Sequence, residues 1–417
     1  MISDNIPTPW SKLNARDFDS WHSMCSYLGA FPPPLANYFI QYFSNEGDLV
    51  YDPFSGRGTT ILEARILNRN SLGTDLNPIA LALSEAKNCN LSKEDIYSRI
   101  DELEGKYDYA LYQPEAIAQS DEIHLIFHPK TLAQLCYLRR KLLKSDKQVD
   151  KYLIGITLGI LHGGERKDTT SAYASIDMPN TFSMSPEYVR RYVQTNQLNR
   201  IERNIFNLLK EKTERIFKKH KRLGGNGLIL KANVKSLSKY EELNQFKNSA
   251  SLVLTSPPYL GIVNYAKQNW IRSWFMDQDP IAVSNELDDN LNLDEWIEFS
   301  KSAIVELKQF LKEDGVAVFV IGDVAKSKNS VIPLAREFCL MINENNFFKN
   351  IWCINDVITS SDKTTRIWGD KKGIATTTDR IVILSDINPF EKFEKKNEID
   401  KLDFESVKEI SKYFVGI

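Results

Sequence analysis

Apolar positions along this chain follow two regimes. Short continuous runs, Leu49-Val50-Tyr51, Ser71-Leu72-Gly73-Thr74, Leu228-Ile229-Leu230, Ser251-Leu252-Val253-Leu254 and Val316 to Ile321, read as buried strands. Between them lie stretches of helical spacing: Leu35 to Ile40 behind Pro32-Pro33-Pro34, Thr60 to Asn68, the polar stretch after Pro78, and Asp294 to Leu311. The succession Leu49 to Asp75 predicts a βαβ unit, which requires parallel strands. A last pair, Phe347 to Ile354 and Arg380 to Leu384, predicts an antiparallel hairpin across the polar loop 355–379.

From about residue 90 to 225 the strand regime disappears and helical patterns dominate. His162 to Glu187, rich in Gly, Ser, Thr, Asp and Pro, interrupts them as a long irregular loop. The stretch Gln197 to Arg222 places Ile201, Ile205, Leu208, Leu209 and Ile216 along one helical face among many Lys and Arg, with Gly224-Gly225 as the stop. The expected organisation is therefore 1–90 and 226–385 as two parts of one α/β domain, 91–225 as an inserted helical region, and 386–417 as a charged tail.

With 417 residues, 42% of them hydrophobic, the chain can bury a large core. Its net charge of −2 gives no global pull toward a polyanion, so any nucleic-acid attraction must come from local clustering of Lys and Arg. No apolar stretch approaches the roughly 18 residues needed to span a bilayer, and the N-terminus lacks the layout of a signal peptide. The expectation is a soluble cytoplasmic protein that does not engage a membrane. Cys25, Cys89, Cys136, Cys339 and Cys353 are widely spaced, without CxxC pairs, so neither disulfides nor a bound metal is expected.

Two motifs carry chemistry. In Asp52-Pro53-Phe54-Ser55-Gly56-Arg57-Gly58-Thr59-Thr60, the glycines let a ligand approach the backbone, and the helix that follows presents N–H groups there. Asp75 ends the next strand at the distance where an acid meets ribose hydroxyls in nucleotide-binding βαβ units. The second motif is Thr255-Ser256-Pro257-Pro258-Tyr259. An exocyclic base amine is a poor nucleophile because its lone pair is delocalised into the ring, so acceptors must take its protons and hold it in line for displacement. The Ser256 oxygen and the Pro257 carbonyl suit that task. The prolines remove competing donors, and Tyr259 can stack on a base rotated out of a duplex.

Together these motifs resemble the amino-group DNA methyltransferases, which act on cytosine N4 or adenine N6. The resemblance implies an α/β, Rossmann-like S-adenosylmethionine-dependent methyltransferase sheet with an inserted, mainly helical domain. It implies a cofactor site made of Phe31, Pro32, Asp52, Pro53, Phe54, Gly56, Gly58, Thr59, Thr60, Asp75 and Asn233, with Asp52 near the methionine ammonium and Asp75 on the ribose. Asn233 departs from the acid that the family often carries at that place. Ser256, Pro257, Pro258 and Tyr259 would be the catalytic turn. Glu313-Asp314-Gly315 and the strand ending Gly322-Asp323 resemble the family's later strand motif, with Asp323 read as a turn cap. Serine at the first position of the turn favours cytosine N4 over adenine N6.

With the cofactor motif first and the catalytic turn second, the DNA-reading part is expected within 90–225. Arg200, Arg203, Lys218 and Lys219 are the candidates for tracking phosphates. Arg166, Lys167, Tyr173 and Asn180 are candidates for base contacts, and His162 for a local structural hydrogen bond. The expected function is metal-free methyl transfer to cytosine N4 in double-stranded DNA, protecting host DNA beside a cognate restriction endonuclease. An adenine-N6 enzyme is the first alternative. An RNA guanine-N2 methyltransferase is disfavoured because only about fifty residues precede the first motif. An inactive cofactor-binding adaptor is disfavoured by the intact Ser256 to Tyr259 turn.

Overall fold

A computed structural model describes residues 9–27, 29–165, 171–178, 185–260, 269–288, 291–327, 330–357 and 378–393. Five strands follow the sequence regimes: β1 (Leu49–Asp52), β2 (Asn70–Asp75), β3 (Gly227–Lys231), β4 (Ala250–Thr255) and β5 (Leu311–Gly322). A short hairpin of β6 (Val324–Ser327) and β7 (Ser330–Ile332) stands apart, and β8 (Asn350–Val357) and β9 (Thr378–Ser385) complete the main sheet. Its order is β3-β2-β1-β4-β5-β9-β8, with β1 to β5 in parallel pairing and β9 antiparallel to both β5 and β8. The α/β, Rossmann-like expectation holds, and so does the antiparallel pairing of the last two strands.

The chain winds from β1 through β2 to β3, then crosses back to lay β4 and β5 on the other side of β1. Connections therefore leave β1 and β4 in opposite directions, and a crevice opens at the carboxyl ends of these two neighbours. Period-two alternation covers both faces of the sheet. Val50, Leu252, Val316, Val318 and Val320 point to a core with Phe39 and Phe43 of α1 (Pro33–Phe43). Tyr51, Val253, Ala317, Phe319 and Ile321 point the other way, to Trp296 and Ile304 of the helix Leu293–Lys308.

The helices α2 (Thr59–Ile66) and α3 (Pro78–Asn88) follow β1 and β2. Among the described residues seven more follow before β3: α4 (Lys93–Gly105), α5 (Tyr109–Ile117), α6 (Asp121–Ile126), α7 (Pro129–Leu142), α8 (Gln148–Leu158), α9 (Pro186–Asn196) and α10 (Ile205–Phe217). Their apolar faces share one core with Leu62 of α2 and with Ile79, Leu83 and Ala86 of α3. Close approach explains Gly155, where an added Cβ would lie 2.3 Å from the Ala86 Cβ.

Two expectations change. The helix expected over 197–222 begins at Ile205, because Gln197 at φ 50° ends α9 and the Asn204 side chain caps α10 by accepting from the Asn207 N–H. It ends at Phe217, where the Ser20 hydroxyl donates to the Ile216 carbonyl at 2.6 Å. Ile205, Leu208, Leu209 and Ile216 are buried as expected, whereas Ile201 lies outside the helix and is 44% exposed. Secondly, β5 begins at Leu311, so Glu313-Asp314-Gly315 lies inside the strand rather than before it. Pairing shifts from Ala250↔Leu311 to Leu252↔Val316, a bulge that takes up the extra residues. Among the described residues no helix is long and apolar enough to cross a membrane, and all five cysteines are free thiols.

Candidate active site

The two motifs end neighbouring strands, β1 and β4, and bond to each other directly. The Thr255 hydroxyl donates to Asp52 Oδ1 at 2.6 Å, and the Thr60 hydroxyl to the Leu254 carbonyl at 3.3 Å. Asp52 also accepts the Phe54 N–H at 3.2 Å, yet burial outweighs these bonds and pushes its carboxyl up to about 6. At the end of β2, Asp75 accepts the Gly56 N–H at 2.9 Å on Oδ2 and the Asn77 N–H at 2.9 Å on Oδ1. Burial pushes this carboxyl up to about 6 as well.

Gly56 and Gly58 adopt φ of +50° and +75°, left-handed values that favour glycine, and a Cβ on Gly58 would lie 3.0 Å from the Ser84 Cα. Ser84 in α3 holds the loop from below, with its hydroxyl 3.1 Å from both the Ser55 hydroxyl and the Gly56 carbonyl. The buried Lys87 ammonium donates to the Arg57 carbonyl at 2.6 Å.

A solvent-open cleft with about 660 Å³ of empty space lies over these strand ends. Pro53, Phe54 and Gly56 contribute one wall, Asp75, Leu76 and Asn77 the next, and Ala232 and Val234 the edge beyond β3. Ser256 and Pro258 of the Ser-Pro-Pro-Tyr turn complete the lining. Apolar walls with the strand-end acid Asp75 in the lining suit a nucleoside joined to an amino acid, whereas Asp52 and Gly58 lie outside the lining and the Gly56 N–H is spent on Asp75. S-adenosylmethionine fits that description.

Several lining residues escaped the sequence reading: Tyr27, Gly29, Asn77, Leu287, Asp288 and Phe299. Asn77 was findable, since it follows Asp75 and caps α3 ahead of Pro78; its amide donates to the Tyr27 hydroxyl at 3.0 Å. The others sit far from either motif in sequence.

Other expected residues fall in different places. Thr59 and Thr60 are buried in the first turn of α2, and Thr59 takes the Arg57 guanidinium at 3.3 Å. Phe31 is buried in the core beside α1 and Pro32 caps that helix, both outside the cleft lining. Asn233 spends its side chain on the Lys235 N–H at 2.9 Å, capping a 3-10 turn, while its neighbours Ala232 and Val234 line the cleft.

The Ser-Pro-Pro-Tyr turn is clamped from two sides. The Ser256 hydroxyl lies 2.9 Å from the Val320 carbonyl in β5 and 3.0 Å from the Tyr259 hydroxyl, which reaches the same carbonyl at 3.1 Å. The Trp296 indole donates to the Pro258 carbonyl at 2.7 Å. Pro257 is buried beneath. Asp323, expected to cap a turn, instead pairs with Arg380 of β9 at 3.1 Å.

Of the residues expected at DNA, Arg166, Lys167 and Asn180 lie outside the described residues. The Tyr173 ring packs flat enough on Gly163 that a Cβ there would come within 2.5 Å of it. Arg200 donates to the His124 carbonyl at 2.8 Å, and Arg203 pairs with Glu165 at 2.6 Å. Lys218 and Lys219 are exposed at the end of α10, where Lys219 donates to the Arg16 carbonyl at 3.0 Å. His162 is buried.

The family model described as DNA methylase, covering N6- and N4-type enzymes, matches residues 8–86 and 250–413, more than half of the chain. Type II methyltransferase M.MjaII of Methanocaldococcus jannaschii is 22% identical over 404 residues, covering 76% of this chain and 76% of that protein. Type II methyltransferase M.BsoBI of Geobacillus stearothermophilus is 26% identical over 278 residues, covering 61% of this chain and 52%, about half, of its own length. Among solved structures, the rRNA methyltransferase aviRa of Streptomyces viridochromogenes overlaps 91% of this chain and 96% of its own at 12% identity and a TM-score of 0.35. The two strand-end motifs, joined in one crevice, lie within the two matched segments, and the chain belongs to the N6/N4 DNA methylase family, whose members are S-adenosylmethionine-dependent DNA methyltransferases.

Proposed function

We propose that this protein methylates the exocyclic N4 of cytosine in double-stranded DNA, by base flipping and in-line displacement. The observation that carries the reading is Ser256, which lines the cleft at the carboxyl end of β4 with its hydroxyl against the Val320 carbonyl. A hydroxyl that donates to that carbonyl keeps its lone pairs for a donor in the cleft, which is what an amine losing a proton needs. The Pro258 carbonyl is engaged by Trp296, so Ser256 and the Pro257 carbonyl are left for the two amine protons. Bound S-adenosylmethionine supplies the electrophilic methyl group. Asp52 favours its ammonium, Asp75 its ribose, and the Gly56 to Gly58 loop its close approach to the backbone. Tyr259 stacks on the flipped base, which the duplex would otherwise shield.

Residues 91–225 are the proposed target-recognition region. Lys218, Lys219 and Arg200 would meet phosphates, while Arg166, Lys167, Tyr173 and Asn180 would read bases. Arg203, paired with Glu165, is better placed to brace this region than to leave it for DNA. The similarity to two Type II methyltransferases supports a place in a restriction-modification system, with a cognate endonuclease as partner.

The test is incubation of the purified protein with labelled S-adenosylmethionine and unmethylated genomic DNA, followed by nucleoside mass spectrometry. N4-methylcytosine is the expected product. N6-methyladenine would keep the mechanism but overturn the subclass, and absence of label from DNA would overturn the substrate.

A further inference from the structure

Two acids line the cleft, and they are held differently. Asp75 has one backbone N–H on each oxygen, from Gly56 and Asn77. Asp288 receives the Lys235 ammonium on Oδ1 at 2.8 Å, which fixes the carboxylate and leaves Oδ2 for another donor. Its side chain is only 16% exposed. A second pair, Lys231 with Glu286 at 2.8 Å, anchors the same stretch of chain at the end of β3.

Around Asp288 the cleft is apolar. Ala232 and Val234 form one wall, and Leu287 and Phe299 lie on the same lining. A flat heteroaromatic ring suits such a slot, and a carboxylate oriented by Lys235 selects a ring edge that donates hydrogen bonds. The Asn233 side chain cannot serve this role while it caps the 3-10 turn at Lys235.

We propose that Asp288 accepts the exocyclic amine of the cofactor's adenine and is the residue that distinguishes a 6-amino from a 6-oxo purine in this cleft. The inference rests on the assignment of the cleft to S-adenosylmethionine. It assigns a specificity role to a residue that lies between the catalytic turn and the helix Leu293–Lys308, outside both motifs.

The test is calorimetric titration of the full chain with S-adenosylhomocysteine and with its deaminated analogue S-inosylhomocysteine. The wild type should prefer the adenosine form by about tenfold, as expected for a charge-assisted hydrogen bond. Asp288→Ala should lose about that factor for the adenosine form alone, so that the preference disappears. Asp288→Asn, the conservative variant, should narrow the preference from the other side, because its amide can donate to the 6-oxo group. Equal losses for both ligands in Asp288→Ala, or an undiminished preference, would overturn the inference while leaving the cofactor assignment intact. If the wild type bound neither ligand, the cofactor assignment would fall, and this inference with it.

Discussion

Thr255 and Asp52, 203 residues apart in the chain, are joined by a 2.6 Å hydrogen bond that fastens the Ser-Pro-Pro-Tyr turn to the glycine loop after β1. Both are buried, Thr255 completely and Asp52 to 2% exposure. Replacing Thr255 with Val keeps the shape and removes the donor. A buried carboxylate deprived of a partner costs about 1–3 kcal/mol. Thr255→Val should therefore lower the thermal midpoint and weaken cofactor binding together, as read by differential scanning calorimetry and cofactor titration. Unchanged cofactor affinity would mean that the bond only braces the strands.

The raised carboxyls of Asp52 and Asp75 set a pH dependence. Both are pushed from 3.8 up to about 6 by burial. A carboxyl whose folded value exceeds its unfolded one contributes stability that is complete below pH 3.8 and is lost as pH rises through about 6. The difference in melting temperature between wild type and Asp52→Asn should therefore change over that window and be level above it. Cofactor binding works in the opposite sense. A cationic ligand favours the ionised acids, so affinity should climb between pH 5 and 7, with proton release visible by calorimetry in buffers of different ionisation heat.

Ser256→Ala removes the proposed acceptor without touching the cofactor loop. Tyr259 still reaches the Val320 carbonyl, so the carbonyl keeps a partner. Methyl transfer should fall by at least about a hundredfold, the scale of a lost transition-state hydrogen bond. Cofactor affinity should stay within about twofold. Retained turnover, measured with labelled cofactor, would remove Ser256 from the chemistry.

Arg203 and Lys218 should separate structural from DNA-binding roles. Arg203 shares a half-buried ion pair with Glu165, with side chains 15% and 19% exposed, so Arg203→Ala should mainly destabilise the helical region. Lys218 is exposed at the end of α10. Lys218→Ala should leave melting unchanged, weaken DNA binding evenly across sequences and reduce the salt slope by about one. Equilibrium binding at several salt concentrations checks both.

The sequence by itself determined what depends on near neighbours. The continuous apolar run Val316 to Ile321 prescribes a strand buried on both faces, and the spacing of Asp52, Gly56, Gly58 and Asp75 prescribes a strand, glycine turn, helix and strand. The Ser-Pro-Pro-Tyr string prescribes a stiff turn in the same local way. Only the tertiary structure decided which distant groups meet. β4 pairs with β1 instead of β3, so Thr255 reaches Asp52 and the two motifs share one crevice. Ser20 ends α10 from 196 residues away, which no local pattern encodes. Asn233, suited by position to face the cleft, is drawn to the Lys235 N–H, while Asp288 enters from a segment without a motif. Periodicity fixes which side of an element is apolar. Which elements share that apolar surface is set by burial across the whole chain, and the site follows from that choice.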